Sequence, residues 1–374
     1  MEEGKAFSIT AGAFTRARKK LKHTAYVELN EDILEIYYKD NDIKRLQGYR
    51  ILAIDGSKIT LPKNNAIKKE FGTKPIGNHT GKPLGEYSRA TYQACYDVLN
   101  HVAVYSILGH GSAYEVDLTE KMLPSFNTND LLIFDRGYAS YLFMANLIKQ
   151  KKAFIIRCPQ SSFLAIKEAF SSGENTSKHA YIPMPAKQRK KAKELGLPDE
   201  ITIKLVTVVL PSGEIEVLAT SLLDSNEFSN EDFKYLYSLR WGVETFFSKI
   251  KGRLGLENFT GKTVESIYQD FWSTIFISNL ETIMTEDIEE SLNTHKPKKN
   301  KPLKINKAVS FNVIKKMAFE IFLSESDKEQ MFDKLTKLFV MNPVTIRKDR
   351  QGLRKKTSDT QSLNFQKRVR KHVF

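Results

Sequence analysis

Two short apolar runs in this 374-residue chain each stop on an acid: Ile51-Leu52-Ala53-Ile54 on Asp55, and Leu131-Leu132-Ile133-Phe134 on Asp135. Apolar runs this short, closed by Asp-Gly or Asp-Arg-Gly, read as buried strands of an α/β sheet. Such a sheet needs helices on its faces, and it presents polar groups at the strand ends. Singly, each aspartate has an ordinary reading as a turn or cap residue. As a pair on neighbouring strands, the two can hold a divalent cation through hard carboxylate oxygens, as Mg²⁺ prefers.

The segments around them fit a mixed sheet. ATYQACYDVL and HVAVYSILG, separated by Asn100, read as an antiparallel pair. A short helix is predicted at 113–123, another at about 140–150, and a fifth strand at 153–159. Three strands, helix, strand, helix, strand matches a ribonuclease H-like core, although the pattern alone admits other α/β folds. Residues 8–40 read as helical, with SITAGAFTRARKKL as a helix, a Gly-containing turn and a basic second helix. Residues 63–88, rich in Gly, Pro, Lys and Asn, suit a long loop. ITIKLVTVVLP and EIEVLATSLL flank the hairpin signal Ser212-Gly213 and suggest an inserted β subdomain. The chain is helical again from Asn230 to about Thr285 and across 306–339.

The organisation expected is a helical segment at 1–45, DNA-binding if its basic second helix belongs to a helix-turn-helix and not to a plain helical hairpin, then the first part of the core at 46–159 and a β insertion at 160–228. The second part of the core follows at 229–290, then a basic helical C-terminal region at 291–374.

The formal charge of +14 is concentrated. Residues 295–308 hold six Lys and no acid, and residues 341–374 hold ten Lys or Arg against Asp349 and Asp359. These two segments account for the whole excess. A basic C-terminal third on a neutral body suits attraction to phosphate backbones, while a solubilising tail is the plainer reading. Smaller clusters at 16–22 and 187–193 are phosphate contacts or solvated faces. Cys95 and Cys158 lie far apart, which excludes a disulfide scaffold and a Cys-rich zinc site. No run reaches the ~18 apolar residues of a membrane span, and MEEGKAF lacks the apolar core of a signal peptide. The expected location is the cytoplasm.

A third acid comes from YLYSLRWGVETFFSKIK at 235–251. At ~100° per residue, Tyr237, Arg240, Glu244 and Lys251 fall within one arc about 60° wide. Leu236, Leu239, Val243, Phe246 and Ile250 occupy the other side. The predicted helix buries an apolar stripe and points a phenol, a guanidinium, a carboxylate and an ammonium outward. An amphipathic surface helix with an Arg240–Glu244 pair looks partly like this too.

Tyr-x2-Arg-x3-Glu-x6-Lys resembles the signature of a branch of DDE-type insertion-sequence transposases, and Tyr237, Arg240, Glu244 and Lys251 match it without a gap. AIDGSKI, LLIFDRGYAS and ATSLLD are similar to the family's surroundings of the same site, and the similarity covers about residues 8–280. The resemblance implies a ribonuclease H-like (retroviral integrase-like) mixed sheet with a β insertion before the Glu, flanked by helical N- and C-terminal regions. It implies that Asp55, Asp135 and Glu244 are catalytic and hold two Mg²⁺ ions, with Mn²⁺ able to substitute. The cations would serve excision and 3′-hydroxyl strand transfer by two-metal phosphoryl transfer. It assigns Tyr237, Arg240 and Lys251 to DNA near the scissile phosphate, with Lys249 as an alternative cation. The implied partners are double-stranded DNA (terminal inverted repeats and target) and a second copy of the chain on that DNA. The implied setting is the bacterial nucleoid.

One departure concerns the tryptophan that relatives place in the insertion to stack a flipped base. Trp241 and Trp272 both lie outside 160–228. Either Phe163, Phe170 or Tyr181 is the platform or the hairpin route does not apply, and Trp241 is read as a packing residue. A phosphatase of the haloacid dehalogenase type wants an acid two positions after Asp55, where Ser57 stands. A catalytically inactive DNA-binding regulator and a ribonuclease H-like nuclease remain as alternatives.

Overall fold

The structure, a computed structural model, describes residues 10–76, 85–224, 228–294, 302–323 and 327–346. Residues 295–301 of the Lys-rich stretch 295–308 and residues 347–374 of the basic tail 341–374 lie outside the described residues. Two compact units are formed, one from residues 42–60 and 71–248, the other from 1–41, 61–70 and 249–374.

The first unit is a mixed α/β structure around one nine-stranded sheet. Its strands are β1 (Arg50–Leu61), β2 (Thr73–Ile76), β3 (Gly85–Asp97), β4 (Val102–His110), β5 (Asp130–Phe134), β6 (Ala153–Cys158), β7 (Thr176–Pro183), β8 (Glu200–Val209) and β9 (Ile215–Thr220). Their order is β2-β3-β1-β5-β6-β9-β8-β7, with β4 also paired to β3. β1, β5 and β6 run parallel, whereas β3–β4, β6–β9, β9–β8 and β8–β7 are antiparallel.

The two apolar runs fold as their composition requires. Ile51 to Ile54 and Leu131 to Phe134 are fully buried, as expected of parallel strands covered on both faces. Between β5 and β6 runs the helix Tyr141–Lys149, whose N-cap Ser140 accepts from the Phe143 N–H. Its Tyr141, Phe143, Met144 and Leu147 join Leu52, Leu132, Phe134 and Phe154 in one core.

Three local expectations change. β1 does not stop at Asp55 but continues to Leu61, because it outruns β5 and has β3 as its other neighbour. The expected loop at 63–88 contains the helix Asn65–Phe71 and strand β2, and only 77–84 lie outside the described residues. The strands of the expected insertion form no sheet of their own. β9 pairs with β6, so β7, β8 and β9 extend the main sheet.

In the second unit the helices Ala11–Arg18 and Thr24–Asp40 dock on the long helix Val264–Thr294. Polar contacts take part: Arg18 to Asp270 (3.1 Å), His23 to Glu265 (3.0 Å) and Asn279 to Asn30 (2.8 Å). Gly12 sits inside the first helix, not in a turn, and Arg18 of the basic 16–22 cluster is committed to this packing. The helices Lys307–Leu323 and Lys328–Val340 build a separate core with Leu292, Ile305, Ile314, Met331, Leu335 and Phe339. Lys249 opens a π-helical turn, Lys249–Arg253.

Candidate active site

The register of the parallel strands builds the site. β1 and β5 pair as Ala53↔Ile133, and two steps further Asp55 stands level with Asp135. β5 and β6 pair as Phe134↔Ile156, and one step further Asp135 stands level with Arg157. Residues level across parallel strands share a face. Continued past the last paired residues, the register thus sets Asp135, just beyond β5, between Asp55 on β1 and Arg157 on β6.

Each aspartate also has the ordinary role that its turn sequence suggests. Asp135 Oδ1 accepts from Gly137 N–H (2.9 Å) and caps the 3₁₀ turn Arg136–Tyr138. Asp55 Oδ1 accepts from Gly56 N–H (2.8 Å).

The third acid arrives on a broken helix. Asn230–Ser238, started by a reciprocal Ser229–Asp232 capping box, gives way to Trp241–Ser248. Between them the bonds tighten to i→i+3: Arg240 N–H to Tyr237 O (3.1 Å), Gly242 N–H to Leu239 O (2.9 Å), Val243 N–H to Arg240 O (3.2 Å). Gly242 packs close against the end of β3, where an added Cβ would meet Cγ1 of Val98, the residue after the strand, at 3.0 Å. Phe246 stacks on Tyr96 with ring centroids 4.8 Å apart.

The predicted polar stripe does not face solvent. Tyr237 and Arg240 are buried and Glu244 is half-buried. Arg240 bridges two of the expected catalytic acids, with NH1 3.6 Å from Asp55 Oδ2 and NH2 2.7 Å from Glu244 Oε1. Trp241 is half exposed, against expectation, and covers the guanidinium with its ring centroid 5.2 Å away. The Tyr237 ring lies 5.8 Å from the same group.

The electrostatics follow from that arrangement. Burial pushes the Asp55 carboxyl up to about 7; Gly56 N–H and Arg240 pull it down, while Asp135 and Glu115 push it further up. Arg240 stays charged despite burial, held by Tyr237, Glu244 and Asp55. Tyr237 is pushed up to about 12, again chiefly by burial.

Asp55, Asp135, Glu244, Tyr237 and Arg240 are thus gathered in one unit. Lys251 belongs to the other, where burial lowers its pKa and Glu257 partly offsets this. Lys249 sits beside Glu281 and Lys307, and its pKa falls to about 8 through burial.

Two further residues were not read from the sequence. Arg157 is held by Glu214 (3.0 Å) and Glu216 (3.2 Å), and its only sequence signal was a lone cation in the apolar run AFIIRCP. Glu115 lies close enough to Asp55 and Asp135 to raise the pKa of the former, and no motif marked it. Of the aromatic candidates in the insertion, Tyr181 is exposed on β7, while Phe163 and Phe170 pack on the core.

The donor set is oxygen-only and suits a hard divalent cation. Among the described residues no three acids, histidines or cysteines stand in a ready-made metal cluster, and Arg240 supplies the positive charge between Asp55 and Glu244. Among the described residues no helix is long and apolar enough to cross a membrane.

A family model described as a transposase DDE domain matches residues 46–280. The chain is 24% identical over 276 residues to the transposase InsG for insertion sequence element IS4 of Escherichia coli (strain K12). That alignment covers 73% of this chain and 60% of the relative, so the chain spans about 60% of the relative's length. Among solved structures, a piggyBac transposase synaptic complex with hairpin DNA is similar at 12% identity and a TM-score of 0.43, over 84% of this chain and 60% of that one. With the family model spanning both strand aspartates and the Arg240–Glu244 turn, the chain belongs to the transposase DDE-domain family.

Proposed function

We propose that this chain is a DNA transposase that excises an insertion sequence and joins its 3′ ends to target DNA. The observation that carries the reading is Arg240 bridging Asp55 to Glu244, with Asp135 near enough to Asp55 to repel its carboxylate and placed beside it if the β1–β5 register is continued. The strand order β4-β3-β1-β5-β6, antiparallel then parallel, supports a ribonuclease H-like core. The sequence-derived boundaries at 45/46, 159/160, 228/229 and 290/291 are kept as the working division of the chain.

Asp55, Asp135 and Glu244 would hold two divalent cations, Mg²⁺ or Mn²⁺. When bound, these supply Lewis-acid activation of the attacking oxygen and stabilise the leaving 3′ oxygen. The chain's own groups do the rest. Asp55, protonated up to about pH 7 in the cation-free state, must give up its proton to become a ligand. Arg240, released from Asp55, offers a planar fork to a phosphate beside the scissile bond. Arg157 presents a second cation level with Asp135, and Tyr237 a hydroxyl. Lys251 is assigned to the DNA from the family signature.

The partner is double-stranded DNA, first the element's terminal inverted repeats and then the target, bound by two copies of the chain within the bacterial nucleoid. Attraction to the phosphate backbone is supplied by the basic C-terminal third and weakens with salt.

The test is Mg²⁺-dependent cleavage of DNA carrying the inverted repeats that flank the gene, run beside Glu244→Gln. The expected result is strand-specific cutting at the repeat ends, reduced in the variant by about 10²–10³-fold or more, the scale lost with one group stabilising transition-state charge. Binding to the ends should stay within about twofold, since the substitution removes a cation ligand and leaves the phosphate contacts. Sequence-specific binding with no cutting in Mg²⁺ or Mn²⁺ would identify a regulator, and cutting without joining a nuclease.

A further inference from the structure

Glu115 opens the short helix Glu115–Glu120, which follows β4. Its carboxyl lies against the backbone of Gly56, the residue next to Asp55. A Cβ placed on Gly56 would fall 2.3 Å from Glu115 Cδ and 2.5 Å from Oε1, so any larger residue there would displace that carboxyl from its present place.

The helix is also braced to the turn that Asp135 caps. Thr119 Oγ1 donates to Glu115 O (3.0 Å), and the buried Gln93 Nε2 donates to Thr119 Oγ1 (3.1 Å) and to Tyr138 OH (2.8 Å). Tyr138 closes the 3₁₀ turn begun by Asp135. Glu115 is thereby tied to β1 through Gly56 and to Asp135 through Tyr138.

In the cation-free state burial opposes its charge, Lys58 favours it, and Asp135 and Asp55 repel it. An ion pair with the exposed Lys58 is screened by water and needs no buried brace for the helix that carries Glu115. The positive charge now among the acids is itself incompletely satisfied. Arg240 is 8% exposed, and its buried Nε has no hydrogen-bond partner among the described residues.

We propose that Glu115 is a fourth carboxylate of the cation site, a ligand that acts beside Asp55 across Gly56. The inference rests on the reading of Asp55, Asp135 and Glu244 as cation ligands and adds a residue to that set. It also explains why two acids from the family signature stand beside a third that the signature does not contain.

Mn²⁺ titration of the full chain, followed by electron paramagnetic resonance, tests this without DNA or turnover. Wild type is compared with Asp55→Asn, Glu115→Gln, Glu115→Asp and Gly56→Ala, each checked for its thermal midpoint in EDTA. The expected result is that Glu115→Gln weakens Mn²⁺ binding about tenfold or more, with the EDTA midpoint unchanged or raised. Glu115→Asp should recover part of the affinity. Gly56→Ala, which keeps every acid but displaces the Glu115 carboxyl, should weaken binding, and adding Glu115→Gln to it should cost little more. If Asp55→Asn weakens Mn²⁺ binding while Glu115→Gln leaves it unchanged, Glu115 is no ligand and the three-acid site stands. If Asp55→Asn has no effect on Mn²⁺ binding, the site itself is wrong, and the role of Glu115 falls with it.

Discussion

The strands β1 and β5 carry charged residues at both ends of their pairing, and the two ends are built on opposite rules. At the entry end Arg50 and Asp130 are register partners in a buried, two-pronged ion pair, Nε to Oδ1 and NH2 to Oδ2, both 2.8 Å. Asp130 Oδ2 also accepts from Asn127 N–H (2.8 Å). Five residues on, the same register sets acid beside acid, and the balancing charge has to come from Arg240 on a distant segment. One end is complete in itself. The other is short of positive charge, as the proposed cation site requires.

The comparison breaks most visibly at the complete end. Asp130→Ala leaves Arg50 charged and buried without its acid, and urea unfolding should show a loss of about 3–5 kcal/mol. A loss below about 1 kcal/mol would mean that water reaches Arg50 and that the two ends differ less than their burial implies.

At the other end the sign should reverse. In EDTA at pH 8, Asp55→Asn removes a buried like charge and should raise stability by up to ~1 kcal/mol, while excess Mg²⁺ should stabilise wild type and not the variant. A destabilised variant in EDTA would show that Arg240 already satisfies Asp55.

The second unit supplies a third arrangement, two lysines around one buried acid. Lys307 lies 3.1 Å from Glu281, and Lys249 beside them has its pKa lowered to about 8 by burial. Because the native state releases this proton near pH 8 and the unfolded chain near ~10.5, the unfolded state holds more protons in between. Stability should therefore gain a rising contribution from about pH 8 to 10.5. Lys249→Met should flatten that rise, read from thermal midpoints at pH 8 and 10. An equal rise in the variant would assign the slope to other groups.

Much of this was legible in the residues. The apolar runs before Asp55 and Asp135, the Ser212-Gly213 hairpin and the return to helix at Asn230 all follow from local chemistry. So does the Arg240–Glu244 pair, since i and i+4 stay neighbours through the tightened turn. The direction of the Tyr237–Lys251 stripe was not legible. A wheel at constant angle assumes an unbroken helix, whereas Gly242 packing on Val98 breaks it at one place and the π turn at Lys249 changes the angle at another. Arg157 and Glu115 were out of reach for a different reason. Their places depend on which strand lies beside which, and strand order is set by packing between segments far apart in the chain.

The return of β9 to β6 has a mechanical meaning. β7 and β8 are joined through Ala186–Gln188 and the Lys-rich helix Arg189–Glu194, at the margin of the sheet, while the hydrogen bonds that hold the segment run inward through β9. A protease that cuts the chain among these lysines would sever the covalent thread and leave the sheet intact. The two fragments, one ending near Arg189 and the other starting there, are expected to co-elute as a single particle and to separate only in denaturant.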